Sequence, residues 1–263
     1  MIDYTLHHYQ MLTMILLKMR GYYAENLKKY SKVQDYVRNE RHISDSMIEK
    51  FGIGYDPKDA SLLTHFLSDN KIQLPAAVSA GIFKQDGTDL FDRLSDRVVF
   101  PIYDLAGNVI GFSGRVWEKD DTRPKFINTS TTLIYRKSLA VFGLYQAYAK
   151  IQELGYSIVV EGNLDVVTMH QAGFENSVAP CGTSITTEQL MILKAFAGDV
   201  MFWFDNDEAG EKASFRAQKL CEKVGMKFSM LGAEMLEVKD ADEYINQFGS
   251  EPIQKAITRI LET

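Results

Sequence analysis

The sequence predicts an α/β protein: an α+β first part followed by a mainly parallel sheet covered by helices. Three patterns carry this expectation. From Tyr156 onward, apolar runs at 157–160, 177–180, 200–204 and 227–231 alternate with helical stretches at 165–172, 186–196, 208–223 and 241–248, the order of a parallel sheet with helices on both faces. Residues 97–116 form two β-rich runs around a short loop containing Gly107, which reads as a hairpin. Much of the first eighty-odd residues has helical spacing, interrupted at Phe51–Pro57 by two glycines and a proline.

With 263 residues, 46% of them hydrophobic, the chain can bury a substantial core. No run is apolar for long enough to span a bilayer, and the N-terminus lacks the basic, apolar and cleavage regions of a signal peptide. The run Leu12–Leu17 is closed by Lys18 and Arg20 and reads as part of a packed helix. A cytoplasmic protein without membrane contact is expected. Cys181 and Cys221 are the two cysteines, too far apart for paired-ligand spacing, so they read as buried thiols and not as a zinc site. The net charge of −6 hides an asymmetry: residues 1–152 carry 20 Lys and Arg against 17 Asp and Glu, and residues 153–263 carry 9 against 18. This places an expected domain boundary at 152/153, with a weakly basic domain 1–152 and an acidic domain 153–263. Acid clusters need not repel a polyanion if divalent cations neutralise them.

In chain order, residues 3–30 predict one or two helices, and adjacent His7 and His8 would point in different directions. Residues 33–51 predict a helical pair with Ser44 as N-cap of the second; the alternating charges of 35–44 suit a solvated face. Residues 61–84 are helical in pattern, with Pro75 in a first turn. In the second hairpin strand, Gly111 and Gly114 permit close approach, equally of a neighbouring strand or of a ligand. Residues 122–152 hold Arg123, Lys125, Arg136, Lys137 and Lys150 with no Asp or Glu. Phe126 and Tyr135 lie among these bases, a combination that suits phosphates and unstacked bases but also an ordinary solvated face.

Six carboxylates define the candidate site. Glu161 and Asp165 flank the turn after the run 157–160, Asp205 and Asp207 follow the run 200–204, and Asp240 and Asp242 lie at the start of the last of the alternating helical stretches. In parallel sheets ligands gather beyond the carboxyl ends of strands, and residues one apart in extended backbone project to the same side. Ala209 and Gly210 allow a tight strand-to-helix approach. Oxygen-only ligands without His or Cys favour Mg2+ or Mn2+ over zinc. The competing reading is that these acids are helix N-caps, and Asp242 in particular could cap a helix 243–248.

The stretches Glu161–Asp165, Gly182–Ser184, Asp205–Gly210 and Asp240–Asp242 resemble the Toprim domain shared by bacterial primases, type IA and II topoisomerases and some nucleases. Phe51–Tyr55, Arg97–Ile102, Gly111–Arg115, Pro124–Asn128 and Phe142–Tyr145 are similar, in order, to the catalytic core of DnaG-type bacterial and phage DNA primases. The resemblance runs from about residue 33 to residue 248 and implies a Toprim-type sheet in the second half. It implies an RNA polymerase that starts chains on a single-stranded DNA template from ribonucleoside triphosphates, giving an RNA–DNA hybrid. Within it, Glu161 would be the acid/base or metal-organising residue and Asp205 and Asp207 the principal ligands of two or more Mg2+ or Mn2+ ions, with Asp165, Asp240 and Asp242 completing the cluster. Arg115, Lys125, Asn128 and Lys137 match the basic ridge for nucleotide phosphates and template, with Arg97 and Arg41 as additional contacts. The zinc ribbon and the helicase-binding region usual in the family have no counterpart in this sequence, so a replicative helicase would be reached through regions outside it. A Toprim nuclease or topoisomerase fragment and a non-catalytic nucleic-acid-binding module are the alternative functions.

Overall fold

The computed structural model describes residues 2–86, 89–182, 184–231, 238 and 240–262. The chain forms two compact units, Met1–Arg136 and Lys137–Thr263.

In the first unit a single helix, α1 (Ile2–Lys29), accounts for the first helical stretch. Its buried residues Leu12, Ile15, Leu16, Met19, Tyr23 and Leu27 recur at three- and four-residue spacing, giving one apolar stripe. After α2 (Ser31–Asp35) the chain makes a π-helical turn, Tyr36–Glu40, and then α3 (Asp45–Phe51), with Ser44 at its N-cap position. Next come β1 (Gly54–Asp56), α4 (Ala60–Asp69) capped by the Asp59 side chain, and α5 (Leu74–Ser79) with Pro75 in its first turn. The helical pattern expected to run to Lys84 ends at Ser79, and a short hairpin follows, β2 (Phe83–Asp86) and β3 (Asp89–Asp92).

The expected hairpin is present as β4 (Arg97–Tyr103) and β5 (Val109–Arg115). Its turn is fixed by Asp104, whose Oδ1 accepts from the backbone N–H groups of Ala106 and Asn108, each at 2.9 Å, an Asx-type closure. With β6 (Phe126–Asn128) these strands form an antiparallel sheet of order β1-β4-β5-β6. One face carries Val99 and Phe112 onto the core formed with Leu16, Met19 and Tyr23 of α1. Burying a side chain such as Phe112 contributes about 1.5–3 kcal/mol. The close approaches at Gly111 and Gly114 are explained within the fold, because a Cβ there would meet the Tyr135 ring at 3.2 Å or the Leu94 side chain at 2.8 Å.

The second unit begins with β7 (Val141–Phe142) and α6 (Leu144–Leu154) and continues β8 (Tyr156–Val159), α7 (Asn163–Gln171), β9 (Ser177–Pro180), α8 (Thr187–Lys194), β10 (Asp199–Phe202), α9 (Glu208–Val224), β11 (Lys227–Met230), α10 (Ala241–Phe248) and α11 (Glu251–Leu261). The sheet order is β11-β10-β8-β9-β7. Pairings between β11, β10, β8 and β9 are parallel and β7 joins antiparallel, so the expected mainly parallel, helix-covered sheet is what forms. Strands buried on both faces, such as β8 and β9, read as continuous apolar runs for that reason. The units divide ahead of the charge step at 152/153, because Val141 and Phe142 pair with Pro180 and Ala179 in the second sheet and carry α6 with them. Among the described residues no helix is long and apolar enough to cross a membrane, and both cysteines are buried.

Candidate active site

β8 lies between β9 and β10. The chain leaves β8 toward β9 and later crosses to β10 on its other side, which makes the β8/β10 edge a topological switch point. Glu161 follows β8 and Asp205 follows β10, and the two meet: the backbone N–H of Asp205 donates to Glu161 Oε1 at 3.0 Å. Asp207 receives the Ala209 and Gly210 N–H groups on Oδ1, both at 2.9 Å, and is the N-cap of α9. The expected tight turn is real: a Cβ on Gly210 would sit 1.9 Å from the Asp205 carbonyl oxygen.

Asp165 is 8% exposed in the first turn of α7. Its Oδ2 accepts from Gly162 N–H at 2.9 Å and its Oδ1 from Asp242 N–H at 3.2 Å. Burial first, then the negative charges of Asp240, Asp242 and Asp205, push its carboxyl up to about 8. Four of the six predicted acids are therefore electrostatically coupled, and Glu161 is tied to one of them. Asp240, not Asp242, caps α10, accepting from Glu243 N–H at 2.9 Å. Asp242 lies in the first turn of α10, 8% exposed, with Oδ1 accepting from Thr168 Oγ1 at 2.6 Å and Asn246 Nδ2 at 3.1 Å. Helix capping and cluster membership thus coincide at Asp240, while Asp207 stands as the α9 cap two residues after Asp205.

Among the described residues no group of three His, Cys, Asp or Glu side chains stands close enough together to hold a metal ion. The donor set still suits a hard divalent cation: it is all oxygen, and Asp165, raised first by burial, is raised further by neighbouring carboxylates whose charge such a cation would offset. Of the Gly182–Ser184 stretch, Thr183 lies outside the described residues.

The predicted basic residues fall into different structural settings. In the first unit Arg115 and Arg41 share one partner, since their Nε groups donate to Tyr36 Oη at 2.7 and 3.0 Å. The Arg115 guanidinium also lies 5.0 Å from the centre of the Phe126 ring. Asn128 pairs with Ser113 and Phe126 with Arg115 in the β5/β6 register, which puts Arg115, Phe126 and Asn128 on the sheet face opposite Phe112. Lys125 is exposed. Arg97, 3% exposed, is spent inside the fold: its Nη1 donates to the Pro124 carbonyl at 2.8 Å and reaches those of Gly114 and Lys125, bracing the segment that bears Lys125.

Lys137 belongs to the second unit, where its carbonyl accepts from Gln189 Nε2 at 3.2 Å. Arg123 is neutralised by Asp121 and Asp96 and Lys150 by Glu153. Tyr135, read as a candidate stacking surface, is fully buried and serves the core instead. Tyr36, Thr168 and Gln189 were missed as site supports. Thr168 stands one turn after Asp165, a spacing visible in the sequence, whereas nothing local marks Tyr36 or Gln189.

A parallel sheet of this order, with acids beyond β8 and β10, is a Toprim-type domain, here following an α+β unit. Comparison with known proteins narrows the class. Residues 22–148 match the family "DNA primase catalytic core, N-terminal domain" and residues 158–245 match "Toprim-like". The DNA primase of Aquifex aeolicus is 35% identical over 245 residues, covering 90% of this chain and 46% of that protein. A crystal structure of a DNA primase domain from Pseudomonas aeruginosa is 32% identical with a TM-score of 0.83, covering 94% of this chain and 78% of that one. A structure of the DnaG primase catalytic domain bound to ssDNA has 28% identity and a TM-score of 0.84, with 97% and 80% covered. The chain belongs to the DnaG-type DNA primase family and corresponds to its catalytic core. It spans less than half the length of the curated relatives it matches.

Proposed function

We propose that this chain synthesises short RNA primers on single-stranded DNA by metal-dependent ribonucleotidyl transfer. The observation that carries this reading is the acid cluster beyond β8 and β10, where the Asp205 N–H is bonded to Glu161 and the buried Asp165 carboxylate accepts from the Asp242 N–H. In the proposed reaction the 3′-hydroxyl of the growing RNA attacks the α-phosphate of a ribonucleoside triphosphate, and pyrophosphate leaves. Asp205 and Asp207 are the principal candidates to hold Mg2+ or Mn2+, with Glu161, Asp165, Asp240 and Asp242 around them. Such ions, when bound, polarise the phosphate and stabilise attacking and leaving oxygens. The protein's own contribution is placement. The Asp205 N–H fixes the Glu161 carboxylate, the proposed acid/base or metal-organising group, and the α9 cap fixes Asp207.

Arg115, Lys125, Asn128 and Lys137, with Arg41 beside Arg115, are proposed to bind template and nucleotide phosphates. Arg97 supports Lys125 from within. The ssDNA bound to the related DnaG primase catalytic domain makes a single-stranded template the natural partner, and an RNA–DNA hybrid the product. A replicative helicase is a further proposed partner, through regions outside this chain.

The test is incubation of the protein with single-stranded DNA, labelled ribonucleotides and Mg2+ or Mn2+. Short RNA products that require both template and metal are expected. Cleavage of the DNA without any nucleotide requirement would replace this reading with a nuclease.

A further inference from the structure

We propose that Thr168 is a positioning residue for the acidic cluster, holding the Asp242 carboxylate in place beside Asp165. The inference rests on the metal-binding reading given above and extends it to a residue that bears no charge. A threonine inside a helix commonly returns its hydroxyl to a carbonyl one turn back. Thr168 of α7 instead sends it to another helix, donating from Oγ1 to Asp242 Oδ1 of α10 at 2.6 Å. A second bond runs the other way, from Asp242 N–H to Asp165 Oδ1 at 3.2 Å. The two helices are therefore clasped twice at the same pair of acids.

The clasp opposes a definite force. Thr168 is 4% exposed and Asp165 and Asp242 8% each, and once both acids are ionised, as cation binding requires, their charges repel one another at this depth. Left to electrostatics alone, the Asp242 side chain would rotate away from Asp165. The Thr168 hydroxyl prevents this with a neutral donor. Asn246, one turn along α10, adds a second donor to the same oxygen at 3.1 Å. Both acids are thereby kept together before any cation arrives. Partners of this kind, one step removed from the ligands, typically matter by about 10–100-fold in metal affinity or activity.

The experiment measures Mn2+ binding to the purified protein by electron paramagnetic resonance of the free ion, with no nucleotide or DNA present, alongside thermal melting. Thr168→Val, which keeps the shape and removes the donor, is expected to weaken Mn2+ binding at least about 10-fold, and Thr168→Ser to restore it. A Val variant that melts earlier yet binds Mn2+ as tightly as wild type would overturn the proposal and leave Thr168 a packing residue. Should the Val variant fail to fold, Asn246→Ala, at an exposed position, tests the same clasp: weakened Mn2+ binding supports it and unchanged binding overturns it. A wild-type protein that binds no Mn2+ would overturn the metal reading itself, an outcome distinct from equal binding by wild type and variant.

Discussion

Replacing Gly210 with alanine tests how closely the proposed catalytic turn, Asp205–Asp207, depends on the geometry of α9. The added methyl would lie 1.9 Å from the Asp205 carbonyl oxygen, 2.9 Å from its carbon and 3.1 Å from its nitrogen. All three are backbone atoms, so no side chain can swing aside. Restoring a contact of 3.0 Å demands about 1 Å of relative movement between the start of α9 and the Asp205–Asp207 turn. The same movement pulls Gly210 N–H from Asp207 Oδ1, now 2.9 Å away, and loosens the cap. Overpacking of this kind costs about 1–3 kcal/mol of stability, and a 1 Å misplacement of a catalytic group costs about 100-fold in rate. Primer synthesis per folded molecule should therefore fall about 100-fold, with the urea midpoint lowered. Gly21→Ala is the matched control, because nothing lies within 4 Å of its added methyl inside α1. It should stabilise the protein by about 0.5–1 kcal/mol and leave synthesis unchanged. Wild-type activity in Gly210→Ala would show that Asp205 and Asp207 do not need the turn held so tightly.

Two further outcomes are expected. Lys125→Ala should weaken single-stranded DNA binding and lower the magnitude of the salt slope by about 1 while leaving Mn2+ binding intact; loss of both would make Lys125 structural. Asp56, fully buried, and Asp92 form a carboxyl pair whose affinities for protons are raised, Asp56 by burial and then by Asp92, and Asp92 by burial. The folded state thus binds more protons than the unfolded one above the ordinary carboxylate range, and stability falls as pH rises from about 4 toward the folded-state value. Asp56→Asn should flatten that fall in urea midpoints measured from pH 5 to pH 8, and a parallel curve would place the effect elsewhere.

Much of this arrangement was legible in the sequence because its signals are periodic or local. The β4/β5 hairpin announced itself through two β-rich runs and a short loop holding Asp104, Gly107 and Asn108, and the alternation after Tyr156 gave the parallel strands with their acids at the carboxyl ends. The choice between capping and cluster acids could not be made from spacing, since Asp240 serves both descriptions. It took the fold to show that Asp240 caps α10 while Asp242 is buried. What stayed hidden has physical reasons. β7 has two residues, too few to show a period, and it draws the unit boundary away from the charge step. Tyr135 sits among bases in sequence, yet its ring fills the space left by Gly111, a contact between residues far apart in the chain. Arg97 looks like any other cation until its guanidinium is seen to brace the Lys125 segment. α11 is different: Ile253, Ala256 and Ile257 are buried at helical spacing after Pro252, so its signal was available.

The central claim is that the acids beyond β8 and β10 carry out ribonucleotide transfer while other residues hold the template. Its most direct measurement is RNA synthesis by Asp205→Ala on single-stranded DNA with Mg2+ or Mn2+, with binding of the same DNA measured in parallel. Loss of RNA product with template affinity retained is the predicted result. As much RNA from Asp205→Ala as from wild type would contradict it.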